Sequence, residues 1–252
     1  MQVIVTRPAH EAADWVQRLQ ERGFDAQALP LIAISGPPDA GALRQAWSGI
    51  DRYAAVMFVS ANAVRGFFAA RPADRAFTPR AWAPGPGTRD ALLAASVDAA
   101  SIRAPAADAA QFDSEALWTQ VQGEVRAGDT VLVVRGGDAQ GRGAGREWLA
   151  GQLAHQGAQV EVVVAYTRAA PQWTAAQIDT ARAAAVGATW LFSSSEAIGN
   201  LAQALPWQDW SQARAIATHP RIAQAARHAG FGRVIEARPP FAAVIAALES
   251  AG

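Results

Sequence analysis

The 252-residue sequence contains no cysteine. It therefore has no disulfide, no thiolate nucleophile and no cysteine-ligated zinc or iron–sulfur centre. Lysine is also absent, because all 22 basic residues are arginine. This excludes lysine Schiff-base chemistry, a pyridoxal phosphate anchor and a lysine-containing phosphate loop. Arginine, hydroxyl groups or backbone N–H groups have to bind any anionic ligand.

Charge and hydropathy exclude further classes of protein. The 22 basic residues balance 22 acidic ones, which argues against a nucleic-acid partner. No apolar run approaches the roughly 18 residues needed to cross a bilayer, and the chain opens on the strand-like Val3-Ile4-Val5. We therefore expect a soluble cytoplasmic protein without a membrane partner. No obvious apolar repeat is present, so we expect a monomer.

Short β-rich runs alternate with alanine-rich stretches of helical period, which predicts parallel sheets with crossover helices. Ten strands in one sheet would be large for this length, so two sheets of about five strands are favoured. The predicted helix 11–22 ends at Gly23, as a C′ glycine would require. The predicted strands are 3–6, 26–30, 54–59, 80–83, 97–102, 130–134, 159–164, 189–193, 213–217 and 233–237.

Three internal matches indicate two copies of one unit. Segment 59–64 resembles segment 192–198, with Ser193 against Ser60 at an offset of 193 − 60 = 133. Pro220 matches Pro86 at 220 − 86 = 134, and Leu153 and Gly157 match Leu19 and Gly23 at the same offset. The simplest division is a discontinuous α/β domain of residues 1–35 plus 167–252, with an inserted α/β domain of residues 36–166. The linkers 29–35 and 162–169 would permit hinge opening of a cleft.

Ligands of open α/β sheets bind beyond the carboxyl ends of the strands. The predicted strand ends are rich in hydroxyl groups, glycine and arginine, and helix N-termini there can hold carboxylates or phosphates. Any single serine or threonine could instead only cap its helix, and any single arginine could lie on the surface. The candidate binding residues are Thr6, Arg7, Ser60, Ala61, Asn62, Gly87, Thr88, Arg135, Ser193, Ser194, Ser195, Thr218 and His219.

Other signals are weaker. The pair Gly85 and Gly87 lacks the dinucleotide fingerprint, because the residue three positions after Gly87 is Asp90. Segment 136–145 holds five glycines but no Gly-Lys-Ser/Thr ending, so it is either a surface loop or a place where Arg142 and Arg146 close over an anion. The four histidines have no metal-ligand spacing, so no metal is expected.

The order of the strand-end motifs resembles the uroporphyrinogen-III synthase family across nearly the whole chain. The motifs are Val5-Thr6-Arg7-Pro8, Phe58-Val59-Ser60-Ala61-Asn62-Ala63-Val64, Gly85-Pro86-Gly87-Thr88, Val133-Val134-Arg135-Gly136, Ala165-Tyr166-Thr167-Arg168 and Phe192-Ser193-Ser194-Ser195. The resemblance implies two flavodoxin-like α/β domains with parallel sheets, joined by a two-stranded linker.

The resemblance also implies a cofactor-independent hydro-lyase of haem biosynthesis. Linear hydroxymethylbilane, made by the preceding deaminase, would lose its hydroxyl as water and close to uroporphyrinogen III with ring D inverted. Tyr166 matches the tyrosine that assists this departure, and Thr88 matches a threonine that lines the site. A free tyrosine phenol has a pKa of about 10, so we expect a partial catalytic contribution.

The sequence departs from the family in one motif. Where many members carry Gly-Pro-x-Thr, this chain has His219-Pro220-Arg221-Ile222, so Ile222 stands at the position of the threonine. Thr218 or His219 would take over the hydrogen bond of that threonine. The alternative function is a non-catalytic two-domain binding protein for a polyanionic small molecule, which the same fold permits. A nucleotide-dependent enzyme is disfavoured because the glycine and lysine fingerprints are missing.

Overall fold

A computed structural model describes residues 1–106, 109, 111–138 and 148–251, with side chains up to residue 250. The described residues form eleven strands: β1 Gln2–Val5, β2 Asp25–Ala28, β3 Ala33–Ser35, β4 Tyr53–Phe58, β5 Arg80–Trp82, β6 Ile102–Arg103, β7 Thr130–Gly137, β8 Gln159–Ala169, β9 Thr189–Phe192, β10 Arg214–Ala217 and β11 Arg233–Glu236. They also form ten α-helices: α1 Ala9–Gln20, α2 Ala40–Ser48, α3 Ala61–Ala69, α4 Pro86–Ala94, α5 Ser114–Val121, α6 Trp148–His155, α7 Ala175–Ala183, α8 Ser195–Ala204, α9 Pro220–His228 and α10 Phe241–Ala251. None of these helices is long and apolar enough to cross a membrane. The predicted anion-binding Arg142 and Arg146 lie outside the described residues.

The chain divides into two compact units. Unit 1 comprises Met1–Ile34 and Ala169–Gly252, and unit 2 comprises Ser35–Arg168. The chain passes from one unit to the other after Ile34 and after Arg168. The boundaries predicted from the sequence, after residues 35 and 166, fall within two residues of these positions.

Unit 1 contains a five-stranded parallel sheet with the order β2-β1-β9-β10-β11. Numbered along the chain, this order is 2-1-3-4-5, which is that of flavodoxin-like folds. Successive residues of β1 enter opposite cores: Val3 and Val5 pack with α1 and α10, whereas Ile4 packs with α7, α8 and α9. Helices therefore cover both faces, as the apolar strands predicted.

The second sheet has six strands in the order β3-β8-β7-β4-β5-β6, of which β4 to β7 and all of β8 but its last residue belong to unit 2. Counted from β7, its strands β8-β7-β4-β5-β6 again follow the order 2-1-3-4-5, so this unit is a circular permutation of unit 1. Helices α5 and α6 cover one face. On the other face, Trp47 of α2 stacks on Phe67 of α3, and Phe58 of β4 contacts the same ring. The two flavodoxin-like α/β units confirm the predicted fold class.

Equivalent helix ends lie at one offset in the two units. Ser60 caps α3 and Ser194 caps α8, so the matching serine is Ser194, at 194 − 60 = 134, and not Ser193. Gly85 and His219 precede α4 and α9, again 219 − 85 = 134 apart, and each is followed by proline at the first helical position. The glycines after α1 and α6 are a third pair, with φ of +82° and +80° at Gly23 and Gly157. All three pairs support the predicted duplication.

Two strand predictions need correction. The segment 97–102 is not a strand, because the Asp98 carboxylate accepts a hydrogen bond from the Ala100 N–H and caps a 3-10 turn at Ala99–Ser101. Only Ile102–Arg103 pairs with β5. The short strand β3 lies within the segment that the sequence predicted as a linker, and it is a neighbour of β8.

Candidate active site

The predicted site residues form two groups, one at the carboxyl edge of each sheet. In unit 2 they follow or end four adjacent strands: Ser60, Ala61 and Asn62 after β4, Gly87 and Thr88 in α4 after β5, Arg135 in β7 and Tyr166 in β8. In unit 1 they follow three adjacent strands: Thr6 and Arg7 after β1, Ser193, Ser194 and Ser195 after β9, and Thr218 and His219 after β10. Parallel pairing brings each group together.

Tyr166 of β8 contacts Ser60, another predicted site residue of unit 2. Its hydroxyl oxygen is 3.1 Å from Ser60 Oγ, and the residue is only 5% exposed. Ser60 Oγ also accepts a hydrogen bond from the Ala63 N–H at 3.2 Å and so caps α3. The two hydroxyls meet where the sheet order reverses, beside β4 and β7, which is the usual ligand position of such folds.

A β-bulge directs the Tyr166 side chain. Arg135 of β7 is opposite Val164 of β8, but the next residue, Gly136, is opposite Tyr166, so Ala165 is an extra residue. A bulge changes which way the following side chain points and is common beside active sites. Ala165 and Tyr166 are both buried.

Two glycines make room for this arrangement. A Cβ on Gly136 would lie 2.5 Å from Cζ and 2.8 Å from the hydroxyl oxygen of Tyr166. A Cβ on Gly66 of α3 would collide with the carbonyl oxygen of Ala165. The aromatic ring therefore lies against the backbone of β7, and α3 packs directly on the bulge.

Arg135 is the cation of this group. It is half-buried and directly precedes Gly136. Among the described residues, none accepts a hydrogen bond from its buried Nε. A buried donor without a partner costs about 1–3 kcal/mol, and an anionic ligand would remove this cost. Thr88 lies in the first turn of α4 and is 7% exposed.

Most of the predicted site hydroxyls in unit 1 form hydrogen bonds with the backbone. Thr6 is buried and donates its hydroxyl proton to the Leu191 carbonyl at 2.6 Å. Thr218 donates to the Phe192 carbonyl at 3.5 Å, and Ser194 accepts from the Glu196 N–H at 3.2 Å. Ser193 and Ser195 are exposed.

The basic residues of unit 1 also have structural partners. Arg7 donates to Glu11 at 3.1 Å, and its guanidinium lies 4.2 Å above the ring of Trp15. Burial lowers the pKa of Arg7, and the Glu11 carboxylate partly opposes this shift. His219 caps α9 by accepting from the Arg221 N–H at 3.2 Å. Ile222, at the position of the family threonine, is buried in the apolar core of unit 1.

A cavity that the sequence did not predict lies in unit 1. It measures about 370 Å³ and is lined by residues that follow β1 and β2 and by the segment before α7. Trp173 forms one wall and donates its indole N–H to the Pro30 carbonyl at 3.1 Å. In the sequence, the position of His10 soon after β1 was the signal for this cavity. Nothing in the sequence pattern placed Trp173 beside His10. The described histidine, aspartate and glutamate side chains form no group of three or more that could hold a metal ion.

Comparison with known proteins gives one family. Residues 13–246 match a family model described as uroporphyrinogen-III synthase HemD. A crystal structure of a mutant uroporphyrinogen III synthase from Thermus thermophilus is 13% identical, with a TM-score of 0.58 over 100% of this chain and 98% of that one. The crystal structure of uroporphyrinogen-III synthetase from Helicobacter pylori is 13% identical, with a TM-score of 0.52 over 100% of this chain and 99% of that one. The two crystal structures share the fold of this chain.

Proposed function

The chain belongs to the uroporphyrinogen-III synthase family, and on this premise we propose which of its residues perform the reaction. The enzyme is a hydro-lyase of haem biosynthesis that converts hydroxymethylbilane into uroporphyrinogen III with inversion of ring D. The family match gives no support to the alternative of a non-catalytic binding protein.

Tyr166 is the proposed proton donor. Its hydroxyl lies at the carboxyl edge of the sheet, within hydrogen-bonding distance of Ser60, and this contact is the observation that carries the proposal. As the C–O bond of the substrate breaks, the phenol proton moves to the departing oxygen and water leaves. The remaining azafulvene cation attacks the substituted α-carbon of ring D and gives a spiro intermediate. The older bond from that carbon to the bridge of the neighbouring ring then breaks, and the bridge bonds instead to the free α-carbon of ring D, which loses its proton and leaves ring D inverted. The proton released when the macrocycle forms balances the one that Tyr166 gave up.

The carboxylates of the substrate are proposed to bind to three kinds of donor. In unit 2 these are the guanidinium of Arg135, the hydroxyl of Thr88 and the N–H groups at the starts of α3 and α4, including those of Ala61, Asn62 and Gly87. In unit 1 they are the exposed hydroxyls of Ser193 and Ser195 and the N-termini of α8 and α9. Hydrogen bonds from charged donors and helix N-termini suit carboxylates and need no lysine.

Thr6, Ser194, Thr218 and His219 have a different proposed role. Their side chains hold the ends of β1, α8, β10 and α9 through bonds to the backbone. Arg7 keeps donors besides the one directed at Glu11, because a guanidinium has five N–H groups. We propose that Arg7 binds a carboxylate through them.

We also propose that the protein is a cytoplasmic monomer that receives hydroxymethylbilane from the deaminase. The linear substrate closes spontaneously to isomer I, so rapid transfer would favour the enzymatic product. Sedimentation of the purified protein, alone and with the deaminase, would measure its oligomeric state and its association with the deaminase.

The test of function is the isomer formed. Purified protein is added to hydroxymethylbilane freshly generated by the deaminase, and the oxidised porphyrins are separated by chromatography. Isomer III should predominate, whereas heat-inactivated protein should leave isomer I. If folded protein left only isomer I, the result would contradict the assignment and favour the binding alternative.

A further inference from the structure

We propose that Ser60 is a positioning residue for Tyr166, donating its hydroxyl proton to the phenolic oxygen so that the phenol proton stays directed at the substrate. The inference rests on the proposed role of Tyr166 as proton donor. It assigns to Ser60 an effect on the acid itself, in place of the carboxylate contact that the sequence predicted.

The hydrogen-bonding capacity of Ser60 supports this direction. A serine hydroxyl has one donor and two acceptor sites. One acceptor site is taken by the Ala63 N–H, in the first turn of α3. A hydroxyl that already accepts a hydrogen bond is a stronger donor, because the two bonds polarise each other. Tyr166 lies 3.1 Å away, where it can accept the Ser60 proton.

The opposite direction would disable the acid. If Tyr166 donated to Ser60, its own proton would point at Ser60 and away from the reacting oxygen. With Ser60 as donor, both roles are compatible: the phenolic oxygen accepts from Ser60 and donates to the substrate.

The surrounding backbone fixes the two oxygens. The bulge at Ala165 directs the ring of Tyr166 toward β7, and Gly136 lets the ring approach that strand. The close packing of Gly66 on Ala165 holds α3, and therefore its cap Ser60, against the same bulge. One bulge thus positions both members of the hydrogen bond.

Ser60 would also stabilise the charge that develops on the acid. As Tyr166 gives up its proton, negative charge grows on its oxygen, and a hydrogen bond to the charged form favours that form. The positive end of α3 acts in the same sense through the shared hydroxyl. Loss of Ser60 should therefore lower kcat more than it changes KM.

The effect is measured by the kinetics of single variants. Ser60→Ala should lower kcat about tenfold and leave KM nearly unchanged. Ser60→Thr, which keeps the hydroxyl, should restore most of kcat.

A matched control separates positioning from helix capping. Asp39 caps α2 in the same unit by accepting from the Gly41 and Ala42 N–H groups. Asp39→Ala should cost a comparable amount of stability and leave kcat unchanged. If Asp39→Ala lowered kcat as much as Ser60→Ala, loss of a cap would explain the effect and the proposal would be overturned.

A double-mutant cycle completes the test. Ser60→Ala should reduce kcat in the wild type but have little further effect in Tyr166→Phe. An equal reduction in both backgrounds, or an unchanged kcat in Ser60→Ala, would overturn the positioning role. Failure of the proposed function is seen separately, because wild-type protein would then yield no isomer III.

Discussion

Gly136 and Tyr166 form a cross-strand pair in which the glycine leaves space for the tyrosine ring, since a Cβ at Gly136 would lie 2.5 Å from Cζ of Tyr166. Tyr166 is 5% exposed, so its ring has little free space into which it can retreat. The substitution of this glycine is therefore the most direct test of the site geometry.

We expect Gly136→Ala to displace the Tyr166 ring, lower kcat at least tenfold and destabilise unit 2 by about 1–3 kcal/mol, as overpacking does. Kinetics and chemical denaturation would measure both effects. Gly151→Ala is the matched control, because a Cβ at this position in α6 would meet no atom of the described residues within 4 Å outside its own helix. The control should be neutral or slightly stabilising. Full activity in Gly136→Ala would show that the ring position is not required.

Tyr166→Phe should lower turnover about 10- to 100-fold, at or below the lower limit of about 100-fold that is typical of general acid catalysis, with little change in KM or in melting temperature. Single-turnover measurement of isomer III with freshly made hydroxymethylbilane would show this loss. The ring is retained, so the fold should be intact by circular dichroism. Unchanged turnover would refute the role of this hydroxyl as proton donor.

Arg135→Ala should raise KM about 10- to 100-fold and affect kcat less, because a charge-assisted hydrogen bond is worth about 1.5–3 kcal/mol. The KM of the wild type should also increase with salt more steeply than that of the variant. Arg182→Ala provides a comparison, because this exposed arginine of α7 forms an ion pair with the exposed Asp179. An unchanged KM in Arg135→Ala would exclude a substrate contact.

Tyr53 should make the stability of unit 2 sensitive to alkaline pH. Burial, followed by the hydrogen bond to Glu161, raises the pKa of Tyr53, and the hydrogen bond from Arg52 partly opposes this. A raised pKa means that the folded state holds the proton more tightly than the unfolded state, so this stabilisation is complete below about pH 10 and is lost as the pH rises further. The Tyr166→Phe protein has Tyr53 as its sole tyrosine, so phenolate absorbance would measure its pKa directly.

Denaturation as a function of pH would then give the effect of this tyrosine on stability. The free energy of unfolding should decline above about pH 10 in the wild type and decline less in Tyr53→Phe. If Tyr53 titrated below its ordinary value, the contact with Arg52 would outweigh both burial and Glu161.

Much of the fold was predictable because it depends on local patterns. Apolar runs such as Val3-Ile4-Val5 mark buried parallel strands, and the glycines after two helices have the positive φ that their position suggested. The strand 97–102 was predicted wrongly because the capping action of Asp98 outweighed the β-propensity of the following residues. The serine match was one residue off, because adjacent serines are alike in sequence and only the cap distinguishes them.

The geometry of the candidate site was less accessible to sequence reasoning. The strand-end rule placed Ser60 at a sheet edge. Tyr166 fell within the predicted linker 162–169, and the family resemblance singled it out. Their contact depends on the bulge at Ala165, and residues 163–165 are all apolar, so no change in alternation marks the extra residue. The role of Gly136 likewise depends on the ring across from it, which only the strand register shows.

The insertion of one unit into the other also sets an order of events during translation. Unit 2 is continuous in sequence, so all its strands have emerged before the second half of unit 1 is made. By contrast, Val3 of β1 pairs with Thr189 of β9, and at 5–20 residues per second the ribosome needs roughly 10–40 s to reach that partner. Unit 2 can therefore complete its fold first, whereas β1 lacks its partner β9 until the C-terminal half appears.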